Sequence, residues 1–361
     1  MGRTARHVLA GLLVPALAVV LTVGLGTAPA WACAALIGPH GTVRLGRTTT
    51  LAAYHHGVEH YLTAFTYQGG GGRFGSLIPL PGVPSEVRKG GEWTLQRLER
   101  EVAPPQAADG FGVKLAAAAA PAQVLSRRRI DALDLTVLRG GGSEVAAWAR
   151  QHGFQLSVDA PEVLDFYAAR SPIFLAAVFD PGAARARGQQ LGDGTPIQLA
   201  IRTSNPWVPL RILGLGHQPA EPIRADVFLL TDRAPALLPT PAAAGRPGLS
   251  LERSGPASAR LLGDLHADRN MGWVPTSGMI LTYLRLDTPA RRLGYDLAVD
   301  ASGRDAPSLE AAGLVGAGIP AAELRVPPAA QRGFGWWPLA AAGVGCIALA
   351  GLALRALARD R

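Results

Sequence analysis

The pattern of apolar and polar positions predicts a body made mainly of strands. Residues 42–54 and 58–67 alternate between the two classes and are rich in Thr, Val, Tyr and Phe. Such alternation is typical of half-buried strands, and the His-His-Gly step between the two segments predicts a turn. Further runs of this kind predict strands at 130–138, 173–179, 197–203, 210–215, 224–231 and 280–286.

Three segments have the spacing of short helices, at 93–102, 144–152 and 160–170. Ser143 precedes the second of them as a helix N-cap would, and Gly153 follows it as a stop. The sequence therefore predicts an α+β fold, a strand-rich mixed body with a few short helices.

Proline and glycine divide the body further. Residues 74–84, FGSLIPLPGVP, predict a short strand at a sheet end or edge, because proline cannot donate to a strand ladder. The segment 110–129 contains an alanine run and predicts an irregular excursion. Residues 233–262 are rich in Pro, Ala and Gly without periodicity, which predicts a loop or linker.

The N-terminal residues 1–32 predict a secretory signal peptide. A basic start is followed by an apolar run, and Ala30 and Ala32 form an A-x-A pattern that places the cleavage between Ala32 and Cys33. Two alternatives are an uncleaved N-terminal anchor and a lipoprotein with its lipid on Cys33.

The C-terminal region predicts a membrane anchor. Residues 336–354 are apolar and about as long as a spanning helix requires. Two tryptophans open this run, and arginines fill the tail at 355–361, which places the tail in the cytoplasm. A Pro- and Ala-rich stalk at 306–335 would join it to an extracytoplasmic body at 33–305. The alternative is a buried core helix.

Charge and cysteine content narrow the class of protein. The 361-residue chain has a formal net charge of +8. Without the signal peptide and the region after residue 332, the remaining +4 is too small to indicate a nucleic-acid partner. Cys33 at the mature start and Cys346 in the predicted span cannot pair within one chain, so we expect no intramolecular disulfide. Cys33 could be free, lipidated or paired with another chain.

One stretch has the pattern of a metal site. His56, Glu59 and His60 form H-x-x-E-H, the inverted zinc-protease motif. That chemistry needs both histidines on consecutive turns of a helix, whereas Gly57 interrupts this motif and its flanks alternate as strands do. A polar hairpin is the favoured interpretation, and weak metal binding through His56 and His60 is the alternative.

No other motif indicates catalysis. The glycine pattern at 70–75 has the dinucleotide-binding spacing but is followed by a proline-containing strand rather than a helix. Neither a G-x-S-x-G elbow nor a phosphate loop occurs. We therefore predict no catalytic residue and no cofactor. Trp207, in the Pro-Trp-Val-Pro step after 203, is a candidate partner contact, and its alternative role is to cap the core.

Four stretches of the sequence resemble a known bacterial family. ACAALIGPHGTVRLGRTTTLAAYHHGVEHYLTAFTYQG, FGSLIPLPGVP, LDLTVLRGGGSEVAAWARQHGFQLSVDAPEVLDFYAARSPIFLAAVFDP and GTPIQLAIRTSNPWVPLRI are similar to segments of the family called domain of unknown function 2330. The resemblance covers residues 33–230 and implies an exported, uncharacterised protein. Glu59 matches the acidic turn position of that family, while the three histidines near it match nothing in it.

These observations favour a membrane-anchored extracytoplasmic protein of the bacterial cell envelope, single-pass, with a non-enzymatic binding domain. Its partners would be the membrane and an unknown envelope protein or ligand. The alternative function is a metal-dependent envelope hydrolase that uses His56, Glu59 and His60.

Overall fold

A computed structural model describes residues 35–38, 41–42, 48–65, 75–102, 123–180, 183–184, 186–188, 195–304 and 307–314 of the chain. All of them belong to one compact unit. The predicted signal peptide, the span at 336–354 and the tail lie outside the described residues. Within the described part, no helix is both long and apolar enough to cross a membrane.

The described residues form seventeen strands and four short α-helices, which confirms the strand-rich α+β character. The helices are α1 (Thr94–Val102), α2 (Gly142–Gln151), α3 (Ala160–Ala168) and α4 (Ala259–Ala267). The strands are β1 (Ala35–Gly38), β2 (Gly41–Thr42), β3 (Thr48–His55), β4 (Val58–Phe65), β5 (Gly75–Leu80), β6 (Pro84–Lys89), β7 (Gln123–Ile130), β8 (Leu133–Arg139), β9 (Ile173–Phe179), β10 (Thr195–Arg202), β11 (Trp207–Val208), β12 (Pro222–Thr231), β13 (Ala236–Leu238), β14 (Ala242–Ala243), β15 (Gly248–Pro256), β16 (Ile280–Pro289) and β17 (Leu297–Asp300).

Two large sheets build the body. One has six strands in the order β2-β1-β5-β9-β8-β7, and the other has eight in the order β14-β15-β16-β12-β3-β4-β10-β6. A small third sheet has the order β11-β17-β13. Most pairs are antiparallel, but β12 runs parallel to β3 and β14 runs parallel to β15. The eight-stranded sheet is therefore mixed, and the described pairs of the other two sheets are all antiparallel.

Buried side chains divide the body into layers. One core cluster combines residues of both large sheets, such as Ile78 and Leu135 with Tyr61 and Leu229. A second covers the other face of the six-stranded sheet with α2 and α3, and a third covers the other face of the eight-stranded sheet with α1 and α4. The layer order is helices, sheet, sheet, helices.

The strand β9 shows why the sequence forms these layers. All seven residues of its run IFLAAVF are buried. Ile173 and Leu175 point into the core between the sheets, and Phe174 and Ala176 point into the helix-covered core. A strand buried on both faces reads as a continuous apolar run, so its bounds match the prediction.

The predicted loop or linker at 233–262 is wrong in this structure. That segment contains β13, β14 and β15 and leads into α4. The α4 sequence buries Leu261, Leu262 and Leu265 on one side, and the Ser258 hydroxyl caps it by accepting a hydrogen bond from the Leu261 amide at 3.1 Å. The Pro- and Ala-rich composition concealed this local helical spacing.

Two further segments differ from prediction. The strand expected at 210–215 is a 3-10 turn, Arg211–Gly214. The turn forms where the backbone amides of Leu210 and Arg211 donate to Asp296 Oδ1, at 2.7 and 2.9 Å, and are thereby drawn out of an extended path. The irregular excursion expected at 110–129 ends in β7, which begins at Gln123.

The edge position predicted for FGSLIPLPGVP holds only locally. The strand β5 lies between β1 and β9 in its sheet. However, the described part of β1 pairs with residues 75–77, and among the described strands Pro79 pairs with β9 alone, where it faces Phe174. Proline has no N–H to donate, which fits a position with one partner among the described strands.

Candidate functional site

The H-x-x-E-H stretch lies in the tight hairpin between β3 and β4. The two turn residues, His56 and Gly57, have φ values of 49° and 76°. Positive φ at both central residues is what a type I′ hairpin turn requires. His56 is exposed in this turn, and its ring lies 3.8 Å from the ring of His55. The hairpin prediction for this stretch is confirmed.

The strand geometry of β4 separates Glu59 from His60. Successive side chains of a strand point to opposite faces of the sheet. Glu59 shares its face with Tyr61, which lies in the core between the two sheets. His60 shares its face with Leu62, which lies in the core covered by α1 and α4. The two residues therefore cannot reach one metal ion together.

The carboxyl group of Glu59 is buried and is poorly supplied with hydrogen-bond donors by the described residues. Its side chain is 1% exposed, and neither carboxyl oxygen makes a hydrogen bond of normal geometry with a described residue. Burial raises the pKa of Glu59 to about 8, and the backbone N–H of Trp207 opposes this rise only in part. Burial also raises the pKa of Tyr54, the cross-strand partner, and the charges of Glu59 and Asp300 raise it further. Glu59 is thus held mainly in its neutral form at neutral pH.

His60 packs on the opposite face as part of an aromatic and amide cluster. Its ring stacks on Trp273 with a centroid distance of 3.8 Å and an interplanar angle of 3°. Gln198, 1% exposed, lies beside it, and the Gln198 side-chain oxygen, in the orientation that satisfies its neighbours, accepts from the Trp273 indole N–H at 2.7 Å and from Arg88 at 3.3 Å. Burial, followed by the nearby charges of Arg88 and His55, lowers the pKa of His60 to about 4.

The metal hypothesis gains no support from this geometry. Among the residues that the structure describes, no group of three or more His, Cys, Asp or Glu side chains is placed to hold a metal ion. His56 is at the turn, His60 is stacked on Trp273, and Glu59 is in the core between the sheets. Each has a structural role that the motif spelling does not reveal.

Trp207, the predicted partner contact, is 3% exposed on β11. Its ring stacks on Tyr167 at 5.7 Å, and the guanidinium carbon of Arg170 lies 4.7 Å from its centroid. This position corrects the interpretation as an exposed contact and fits the alternative role of a core cap. Ala32 and Cys33, the predicted cleavage residues, lie outside the described residues.

Trp207 borders a buried polar network that the sequence did not reveal. Asp296 is fully buried, forms an ion pair with Arg170, and accepts from the Tyr167 hydroxyl at 2.8 Å. The backbone amides of Leu210 and Arg211 complete the set of donors. Because these donors satisfy the carboxylate, the network fixes β17 against α3 and explains the burial of charge here.

An open sheet edge is the most exposed regular element in the described structure. The strand β7 ends the six-stranded sheet and pairs with β8 alone among the described strands. Six of its eight residues are exposed, and a register shift between Val124 and Ser126 marks a bulge. Its sequence, QVLSRRRI, contains the consecutive residues Arg127, Arg128 and Arg129.

The sequence interpretation missed β7 for a physical reason. Because six of its eight residues are exposed, the strand has no regular alternation of apolar and polar residues, and the bulge interrupts what remains of the period. The available signal was the apolar pair Leu125 and Ile130, which packs against the core between the sheets.

The chain has few similarities to known proteins. No protein-family model matches it, and neither does any curated protein. Among solved structures, it is similar to a mutated baculovirus P35 after caspase cleavage, at 7% identity over 70% of this chain and 98% of that chain, with a TM-score of 0.33. A chain of the caspase-8/P35 complex is similar at 9% identity over 70% of this chain and 90% of that chain, with a TM-score of 0.32. These values carry no argument about function, and the resemblance to domain of unknown function 2330 stays a prediction.

Proposed function

We propose that this protein is a non-enzymatic binding domain of the bacterial cell envelope that adds an extended segment of a partner to β7 as a new strand. The supporting observation is the open edge of β7, an eight-residue strand that pairs on one side only among the described strands. Unpaired backbone N–H and C=O groups on such an edge are the elements that strand addition uses for affinity.

The alternative, a metal-dependent hydrolase, would need Glu59 and His60 to act on one metal ion. Their side chains lie on opposite faces of β4, in two different cores. Glu59 is also only 1% exposed, so a substrate would have to enter the core between the sheets to reach it. The geometry therefore favours the binding domain.

A pair of adjacent proline variants tests strand addition. In an antiparallel ladder, the N–H groups of successive residues point alternately to the two sides of the strand. Of Arg127→Pro and Arg128→Pro, one therefore removes a donor of the open edge, and the other removes a donor that serves β8. Thermal unfolding identifies the edge-blocking variant, because only the proline that removes a donor to β8 breaks an existing ladder bond. The glutamine variant at each position controls for the loss of charge.

A displayed library of random short peptides, panned against the full chain, supplies the ligands. We expect peptides that bind the wild-type chain and the matching glutamine variant, but not the edge-blocking proline variant. Failure of the library to yield any binder, or equal binding to the proline variant, would contradict strand addition.

The proposal includes the topology that the sequence predicts, with a cleaved signal peptide, one span at 336–354 and a cytoplasmic C-terminus. Mass spectrometry of the mature N-terminus distinguishes the three alternatives for the N-terminal segment. A free Cys33 terminus indicates signal-peptide cleavage, a lipid-modified Cys33 indicates a lipoprotein, and an intact Met1 indicates an uncleaved anchor. Protease treatment of intact cells should degrade the body at 33–305, and its survival there would contradict the extracytoplasmic location.

A further inference from the structure

The charges along β7 are unevenly compensated. Arg129 forms ion pairs with Asp134, at 2.9 Å, and with Asp180. Arg127 and Arg128 are exposed and form no ion pair with any of the described residues. Within the described part of the chain, positive charge that no carboxylate compensates is therefore concentrated in the middle of the open edge.

The pairing register places these two charges on opposite faces. Arg127 lies across from Thr136, and Arg128 lies across from Leu135, whose side chain belongs to the core between the sheets. Neighbouring residues of an added strand would alternate in the same way, so a partner that compensates both arginines needs carboxylates on both of its faces. Further along the strand, Val124 is 39% exposed and offers an apolar contact.

We infer that the partner segment is an acidic, extended stretch of a separate protein, with carboxylate side chains beside Arg127 and Arg128 and an apolar side chain beside Val124. This inference rests on the proposed function and names the chemistry of its partner. Opposite charges placed side by side on adjacent strands stabilise the pairing and like charges destabilise it, so the two arginines select acidic sequences over basic ones.

Two other occupants fit the edge less well. A second copy of the chain, paired through its own β7, would bring two arginine runs together, and like charges on adjacent strands destabilise a sheet. Anionic lipid headgroups would compensate the arginines and accept from the backbone N–H groups. They offer no N–H to the carbonyl groups of the edge, which a peptide backbone does.

Two synthetic peptides of the length of β7 test the inference. One has adjacent Glu pairs separated by Thr, with Val at both ends, so that carboxylates project from both faces of the extended peptide. The other has Lys in place of Glu. Calorimetry with the full chain should show the acidic peptide binding at least about tenfold more tightly than the basic one, with an affinity that falls as salt increases.

Charge reversal supplies the matched variants. The double variant Arg127→Glu, Arg128→Glu should bind the acidic peptide about tenfold or more weakly than the wild type and bind the basic peptide more tightly. The control, Arg233→Glu with Arg260→Glu, changes the net charge equally at exposed positions on other elements and should bind as the wild type does. Equal melting temperatures of the two variants would show that both are folded.

The outcomes separate this inference from the proposed function. Equal binding of both peptides, or library-selected binders without the acidic preference, would overturn the acidic partner and leave strand addition in place. Absence of any peptide binder would overturn both. If the chain bound phosphatidylglycerol vesicles through the arginines and bound no peptide, the occupant of the edge would be lipid. If the chain formed a dimer that the edge-blocking proline variant lost, the occupant would be a second copy. Either result would overturn the inference.

Discussion

The β3–β4 hairpin and the β7 edge differ in how well their residue types predict their chemistry. The hairpin contains the spelling of a zinc site, but the strand sends Glu59 and His60 into two separate cores. The β7 segment matches no motif, but it presents Arg127 and Arg128 to solvent along an open edge.

This difference shows that solvent exposure decides which polar groups can bind a partner. In the hairpin, burial shifts the pKa values of Glu59 and His60 towards their neutral forms. At β7, the guanidinium groups stay solvated, and a new strand can meet them without disturbing the core.

The largest effect is expected at Glu59. Its raised folded-state pKa means that the folded chain binds more protons than the unfolded chain between about pH 4.5 and 8. The free energy of unfolding therefore falls as pH rises through that window, by about 3 kcal/mol up to pH 7. Glu59→Gln removes this slope, so the variant should exceed the wild type in stability at pH 8 while the two are similar at pH 4.5.

Urea unfolding at several pH values measures this difference. Glu310→Gln, a substitution at an exposed glutamate, serves as the control and should keep the wild-type pH dependence. A Glu59→Gln variant that follows the wild-type pH curve would show that Glu59 ionises normally in the folded chain.

The next effect is expected at His60. Its ring stacks on Trp273 beside the buried amide of Gln198, so His60→Ala should destabilise the fold by about 1–3 kcal/mol. Thermal unfolding with and without a chelator checks this. A loss of stability that chelator alone reproduces in the wild type would restore the metal hypothesis.

A smaller effect should separate the three arginines of β7. Arg129→Ala removes two exposed ion pairs and should cost up to about 1 kcal/mol of stability. Arg127→Ala and Arg128→Ala should change stability by less than about 0.5 kcal/mol. Unfolding and acidic-peptide titration of the three variants should show lost stability at Arg129 and lost affinity at the other two. The same losses at all three positions would contradict this division of roles.

The smallest effect is expected at His56. Because the turn has positive φ at both central residues, His56→Asn gives the preferred Asn-Gly pair and should stabilise the hairpin by a few tenths of a kcal/mol. Differential scanning calorimetry resolves the sign. A clear loss of stability would mean that the His56 ring makes a contact that the turn geometry does not require.

Much of the fold could be predicted from local pattern, and the site could not. The run IFLAAVF of β9 and the alternation around the β3–β4 turn are governed by sheet burial, which leaves a periodic trace in the sequence. The donors to Asp296 come from α3 and from the turn after β11, so this cluster depends on contacts distant in sequence. The β7 edge left only the weak trace of Leu125 and Ile130, because six of its eight residues are exposed and need no alternation.

Hydrogen exchange of the full chain, with and without the acidic peptide, shows in one measurement whether the β7 edge or the hairpin binds the peptide. We expect slower exchange of the β7 amides at 123–130 on peptide binding and unchanged exchange of the hairpin at 54–61. Slower exchange at 54–61 with no change at β7 would contradict this expectation and would return the binding site to the hairpin.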